Sequence, residues 1–253
     1  MANQHQQPEM QHERQQEHAG GPPLPVSAML AEEIAPALNI SPAYRGMQIF
    51  KALWDGAVSF NDISTLPKKL RSDLNSRAQL YETKLRGIQG EGGDAEKLII
   101  SCSDGYSVES VVLTDGNGRK TACLSTQAGC AMGCAFCKTG TLGFSRNLSV
   151  GEITEQVLHA VRQSGTISNI VFMGMGEPLL NLKAVRKASA VLMYPEGFGI
   201  GLAKMTISTC GITAGIRDLA ENGPRFRLAV SLVSAIQQKR VQLMPAGRAN
   251  PLP

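Results

Sequence analysis

Three of the six cysteines fall within the eight residues Cys130-Ala-Met-Gly-Cys134-Ala-Phe-Cys137. Three thiolates in CxxxCxxC spacing on a short loop can wrap one corner of a cubane. A 4Fe–4S cluster ordinarily takes four cysteines, so three would leave one iron open to another ligand. Zinc competes, because soft thiolates suit both metals. A structural zinc site wants four closed ligands, normally as two separated pairs. Cys123 is the candidate fourth ligand, although the strand expected around it points it elsewhere. A second chemical run is Gly174-Met-Gly176-Glu177-Pro178, where glycines would let backbone approach a ligand closely. The plain alternative for that run is a turn. Glu109 alternates onto one face with Val111 and Leu113. If that face is buried, the carboxyl has a raised pKa and can accept a proton. If it faces solvent, Glu109 is an ordinary surface acid.

The elements that must position these residues can be read from periodicity. From Lys120 onward, strand, loop and helix alternate. Strands are expected over 121–126, 169–173, 204–208 and 227–231, with helices near 150–163, 181–193 and 213–221. The first helix opens on a capping box, Ser149 with Glu152, followed by Val150, Ile153, Val157 and Val161 at helical spacing. Such alternation implies a parallel sheet, whose ligands sit at the carboxyl ends of its strands. The cysteines follow the first strand and Gly174–Pro178 follows the second. Four units are too few to close a barrel. Upstream, 98–103 and 106–113 read as a hairpin about Asp104-Gly105. Gly87–Gly93, with four glycines, reads as a linker.

Residues 26–90 read as a small helical domain. One helix is expected to start at Ser41-Pro42, with Tyr44, Met47, Phe50 and Trp54 on one face, and another at Thr65-Leu66-Pro67. Between residues 40 and 90, eight Lys and Arg stand against four acids. That balance fits a phosphate-contacting patch, with Arg45, Lys68, Lys69 and Arg71 as candidates, or a solvated helical face. Residues 1–25 hold six Gln, three of the four His (His5, His12 and His18) and Gly20-Gly21-Pro22-Pro23, a composition expected of a disordered tail.

Composition bounds the class. With 253 residues, 43% hydrophobic and 18% charged, the chain has ample material for a core. No apolar run is long enough to span a bilayer, and the Gln- and His-rich N-terminus is no export signal, so a cytoplasmic protein is expected. In that setting clustered cysteines indicate metal or redox chemistry rather than disulfides. The net charge of +4 is compatible with nucleic acid without arguing for it.

CxxxCxxC after the first strand of a βα repeat, with an aromatic residue before the third cysteine, resembles the radical S-adenosylmethionine (SAM) superfamily. Further runs resemble one of its branches, the dual-specificity RNA methyltransferases: Cys123-Leu-Ser-Thr-Gln-Ala-Gly-Cys130, Gly143-Phe-Ser-Arg-Asn-Leu148, Gly174–Asn181, Thr206-Ile-Ser-Thr-Cys-Gly211, and upstream Tyr44-Arg45, Gln48-Ile49, Trp54 and Leu66-Pro67-Lys68. The likeness runs from about Tyr44 to the last residue.

The resemblance implies an α/β fold: a partial radical SAM (β/α) barrel over 119–253, preceded by the helical RNA-binding domain (26–90) and the linker and β-hairpin (91–118). It implies a 4Fe–4S cluster on Cys130, Cys134 and Cys137, and SAM held by Gly176, Glu177, Ser208 and Ser231-Leu232-Val233, where Val233 replaces the usual histidine. Glu109 matches the proton acceptor. Cys123 matches the cysteine that resolves a protein–RNA intermediate as a disulfide. Cys102 and Cys210 match no role and read as buried small residues.

The family methylates C2 of an adenosine in 23S rRNA and in tRNA. That carbon is not nucleophilic, so a radical route through a methylated cysteine near the C-terminus is used. The partners implied are 23S rRNA, tRNA and an electron donor such as flavodoxin, with the enzyme a monomer. The sequence stops before the methyl-accepting cysteine and the later strands, so it reads as C-terminally truncated and a full cycle is not expected of it. A C8-specific branch sharing these motifs, and a non-catalytic iron–sulfur or RNA-binding fragment, are the alternatives.

The cysteine spacing generates a first test. Anaerobic reconstitution should load about four irons per chain with broad visible charge-transfer absorbance; stoichiometric zinc without iron uptake would refute the cluster.

Overall fold

The computed structural model describes residues 25–252. The tail expected over 1–25, with His5, His12 and His18, lies outside the described residues except for Pro25. Nine strands and seven α-helices are present among the described residues. Strands β1 (Lys84–Gln89), β2 (Ala95–Ser101), β3 (Ser107–Thr114) and β4 (Lys120–Cys123) form an antiparallel meander. The sheet continues from β4 through β7 (Asn169–Phe172), β8 (Met205–Thr209) and β9 (Arg227–Val230), all parallel and in sequence order. A small second sheet pairs β5 (Gln127–Gly129) with β6 (Phe144–Asn147).

The three crossovers are α4 (Val150–Ser164), α5 (Leu182–Met193) and α6 (Thr213–Asn222). Because each step moves one strand in the same direction, right-handed crossovers place all three helices on one face. Ala122, Ile170, Phe172, Met205 and Ile207 pack against that face with Ile153, Val157, Val185, Ala188 and Leu219. Their neighbours Cys123, Val171, Thr206 and Ser208 project to the opposite, open face and are only half-buried. The arrangement is the arc of a (β/α) barrel.

Helices α1 (Ala31–Ala37), α2 (Tyr44–Trp54) and α3 (Lys68–Arg77) make a third layer. Their core of Ile34, Ile49, Phe50, Leu53, Phe60 and Leu74 takes in Leu158 of α4 and Val191 of α5. Trp54 stacks on Phe198 with ring centroids 5.8 Å apart. The layer therefore rests on α4 and α5 and is separated from the sheet by them.

The structure differs locally from the sequence reading. The segment 84–89, expected as the end of the helical domain and a linker, is strand β1, with Gly87 at a register shift against β2. The stretch 121–126 ends as a strand at Cys123 and leads into the separate β5. Ser41 does not cap α2, which begins at Tyr44 with no side-chain cap. Helix α7 (Gln237–Leu243) was not foreseen. The Ser149–Glu152 capping box forms as read, with Glu152 N–H donating to Ser149 Oγ at 3.0 Å.

One buried carboxylate joins the layers. Glu155 of α4 accepts from Ser27 Oγ at 2.5 Å, from the N–H groups of Glu82 (2.9 Å) and Thr83 (2.7 Å), and from Thr83 Oγ1. Burial pushes its carboxyl up to about 7, against the lowering effect of those donors. A folded-state value raised above the unfolded 4.5 gives stability that is present below 4.5 and lost as pH rises through 7. Urea titrations should show wild-type stability falling relative to Glu155→Gln by roughly 1–3 kcal/mol across that window. A difference independent of pH would refute the shift.

Candidate active site at the carboxyl ends of the parallel strands

Short backbone ties build the floor of the site. After β4 the chain runs along the end of β7: Leu124 N–H donates to Val171 O (2.8 Å), and Thr126 N–H to Met175 O (2.8 Å). Gly176 has φ +99°, and a Cβ there would lie 2.5 Å from Gln127 Cβ. Only glycine lets the loop after β7 approach this closely. Gln127 bridges the loops, accepting from Glu177 N–H at 2.9 Å and donating to Asn147 Oδ1 at 2.8 Å. Asn181 donates to the carbonyls of Thr126 and Leu148, both at 2.9 Å. Glu177 is buried, and its carboxylate accepts from Cys210 N–H (2.8 Å) and Leu179 N–H (3.2 Å), tying the end of β7 to the end of β8.

Above this floor lies a cavity of about 130 Å³. Cys130, Cys134 and Cys137 line it together with Gly176, Glu177, Ser208 and Ser231. Met132, Phe136, Phe172, Met173, Gly174, Pro178, Thr209, Cys210 and Met244 complete its wall. All three cysteines are half-buried free thiols. Burial pushes the thiols of Cys130 and Cys134 up, and the neighbouring cysteines push the same way. A cation would favour the thiolate form of Cys130 and Cys134.

The donor set suits a cluster better than one ion. A tetrahedral zinc with bonds of about 2.3 Å draws its sulfurs to roughly 3.8 Å from one another. Among the described residues the only three metal-type donors mutually within 4.8 Å are Cys102, Asp104 and Glu152. The acids of that trio are already paired with Arg146, so its charge is met without a metal.

Other residues singled out in the sequence lie beside this cavity rather than in it. Leu232 and Val233 are exposed and do not line it; Val233 sits at φ +62°, an unfavourable conformation for a β-branched residue. Glu109 lies on the open face of β3, because Val108, Ser110 and Val112 take the helix-covered face. The burial expected of an apolar face is therefore missing: its side chain is 51% exposed and pairs with Lys97 at 3.2 Å. Glu109, Lys138, Thr139 and Met175 line a neighbouring cavity of about 300 Å³, so the acid borders the cysteine loop.

Cys123 shares the open face: Val111, two residues from Glu109, is its partner across the β3–β4 pair. Burial pushes its thiol up. Cys123 does not join the three loop cysteines in their cavity, and all six cysteines are free among the described residues. Cys102 and Cys210 are buried. Lys68 and Lys69 are exposed, whereas Arg71 donates to Asn61 O at 2.7 Å and Arg45 to Ser41 O.

Gln127, Asn181 and Arg240 were not singled out by the sequence reading. Gln127 and Asn181 stand inside motif runs quoted for their neighbours, while nothing in the pattern marks Arg240.

A one-directional arc of parallel strands with three cysteines at its carboxyl end defines a class. The profile of the radical SAM superfamily matches residues 124–240. A crystal structure of a radical SAM methyltransferase from Sphaerobacter thermophilus superimposes with a TM-score of 0.85 at 36% identity, covering 91% of this chain and 70% of that one. A probable dual-specificity RNA methyltransferase RlmN of Treponema pallidum is 44% identical over 220 residues, 87% of this chain and 65% of the relative. The dual-specificity RNA methyltransferase RlmN of Lawsonia intracellularis is 41% identical, over 80% and 60%. The chain thus spans about 65% or less of the length of these two curated relatives. It belongs to the radical SAM methyltransferase family. Membership implies a 4Fe–4S cluster and SAM, and the cavity donors fit both.

The close approach at Gly176 generates a test. Gly176→Ala should cost about 1–3 kcal/mol through its positive φ and the clash with Gln127. A denaturation midpoint equal to wild type would show that the loops are not held together here.

Proposed function

We propose that this chain is the cluster- and SAM-binding part of an enzyme that methylates C2 of an adenosine in 23S rRNA and in tRNA by radical SAM chemistry through a methyl-cysteine, a role that none of its six cysteines fills. The observation that carries the reading is the convergence of Cys130, Cys134, Cys137, Gly176, Glu177, Ser208 and Ser231 on one cavity. The names of the RNA-methylating relatives support the substrate class. When bound, the cluster and SAM supply a carbon-centred radical able to attack a carbon that is not nucleophilic.

The chain's own residues do the rest. Cys130, Cys134 and Cys137 would hold the cluster. Glu177 spends two acceptor positions on backbone N–H groups; a carboxylate has about four, so capacity remains for the ammonium of SAM. Gly176 keeps that carboxylate beside the loop, and Ser208 and Ser231 offer hydroxyls from the ends of β8 and β9. Glu109, exposed on the open face, would take the C2 proton on a carboxylate oxygen, exchanging its contact with Lys97 for substrate. Cys123, on the same face, would be the cysteine that resolves the protein–RNA intermediate as a disulfide. Exposed Lys68 and Lys69 support RNA binding by the helical layer as phosphate contacts, with Arg45 and Arg71, each of which gives an N–H to a backbone carbonyl and keeps its charge and further donors.

A flavodoxin-like donor, a monomeric state and a cytoplasmic location complete the reading. No described helix is long and apolar enough to cross a membrane.

Expression, in a bacterial host lacking its own 23S rRNA adenosine-C2 methyltransferase, of these 253 residues joined to a relative's C-terminal segment with its methyl-accepting cysteine should restore 2-methyladenosine, read by nucleoside mass spectrometry; the 253 residues alone should not. Restoration that survives Glu109→Gln at the wild-type rate would remove the proton-acceptor role. 8-Methyladenosine in its place would move the enzyme to the C8 branch.

A further inference from the structure

Helix α7 carries a buried cation without an acid. Arg240 is 2% exposed. Its Nη1 donates to the carbonyls of Ser231 (3.0 Å) and Leu232 (2.5 Å), and Nη2 to the carbonyl of Cys210 (2.6 Å). Its Nε has no partner. No carboxylate pairs with it among the described residues. Burying a guanidinium without a counter-charge is costly, and an apolar side chain of that size would serve stability better.

The surroundings show what the charge could serve. Cys210 and Ser231, whose carbonyls Arg240 grips, line the cysteine cavity from the ends of β8 and β9. At the other end of α7, Leu243 O accepts from Ala135 N–H at 2.9 Å, and Ala135 lies between Cys134 and Cys137. The next residue, Met244, is also in the cavity wall. One short helix thus connects two strand ends to the loop that bears the thiols.

We propose that α7 is a strut, that Arg240 is a positioning residue fixing the strand ends against the cysteine loop, and that its unpaired charge offsets the negative charge gathered in the cavity. The inference rests on the cavity holding the cluster and SAM. Three thiolates and the carboxylate of SAM are anionic, and one-electron reduction of the cluster adds a further negative charge. A fixed cation behind the wall favours both the carboxylate and the reduced state, since cluster potentials follow local charge and hydrogen bonding.

The test compares Arg240→Gln, which removes the charge, with Arg240→Lys, which keeps it but lacks the fork. Both are reconstituted anaerobically as the full chain and checked for iron content. The readouts are the cluster midpoint potential, by redox titration followed by electron paramagnetic resonance, and SAM affinity of the oxidised protein by calorimetry. Arg240→Gln should lower the potential and weaken SAM about tenfold, the loss of one charged hydrogen-bonding group. Arg240→Lys should weaken SAM by less than Arg240→Gln does while holding the wild-type potential. A potential and affinity in Arg240→Gln both within about twofold-equivalent of wild type would overturn the proposal. So would equal potential shifts in the two variants, which would mark general loosening. If Arg240→Gln does not fold, unchanged SAM affinity in Arg240→Lys overturns it, and weakened affinity at an unshifted potential supports it. Wild-type protein that takes up neither iron nor SAM would refute the proposed function instead.

Discussion

The carboxylate of Glu177 is the interaction on which the site depends. It is almost sealed from solvent and accepts backbone N–H groups from its own turn and from the end of β8. Its own N–H is held by Gln127, which belongs to the loop running into the cysteines. Three successive loops are thereby fixed at one end of the sheet. A charged acceptor suits this work, because hydrogen bonds to an ionised group are shorter and stronger than neutral ones. The close approach at Gly176 makes the arrangement specific, since any side chain there would separate the loops.

Winding the strands in one direction has a second consequence. All the crossover helices lie on one face, so the other face of the sheet is left for chemistry. Glu109 and Cys123 share that open face, although the strands carrying them belong to the meander and to its junction with the parallel arc. Of the residues assigned to reaction steps, Glu109 is exposed and Cys123 half-buried, whereas Gln127, Glu177 and Asn181, which tie the loops together, are buried. The N-terminal helices lean on α4 and α5 and touch the site only through them, anchored by Glu155 and its four donors.

Much of this was legible in the sequence. The helices over 150–164, 182–193 and 213–222, and the parallel strands between them, follow from local periodicity and from one capping box, signals that survive without tertiary context. CxxxCxxC and Gly174–Pro178 named the cavity's main lining because ligand chemistry demands particular residue types at close spacing. Less could be read where the deciding contact is remote. Strand β1 exists because β2 offers it a hydrogen-bonding edge, whereas the glycines from Gly87 to Gly93 argue for a linker.

The face of β3 that meets the helices could not be chosen from alternation, since Glu109, Val111 and Leu113 form as regular a set as Val108, Ser110 and Val112. Packing of α4 against the second set decided it. Arg240 shows the limit most clearly: in sequence it is an unremarked basic residue on a short polar helix, and only the folded chain brings three carbonyls from two strands around its guanidinium. Sequence alone named the residues suited to carry chemistry and the local elements beneath them, because both rest on short-range order. Tertiary structure decided which faces are wet, which charges are buried and which backbones meet, because those depend on groups far apart along the chain.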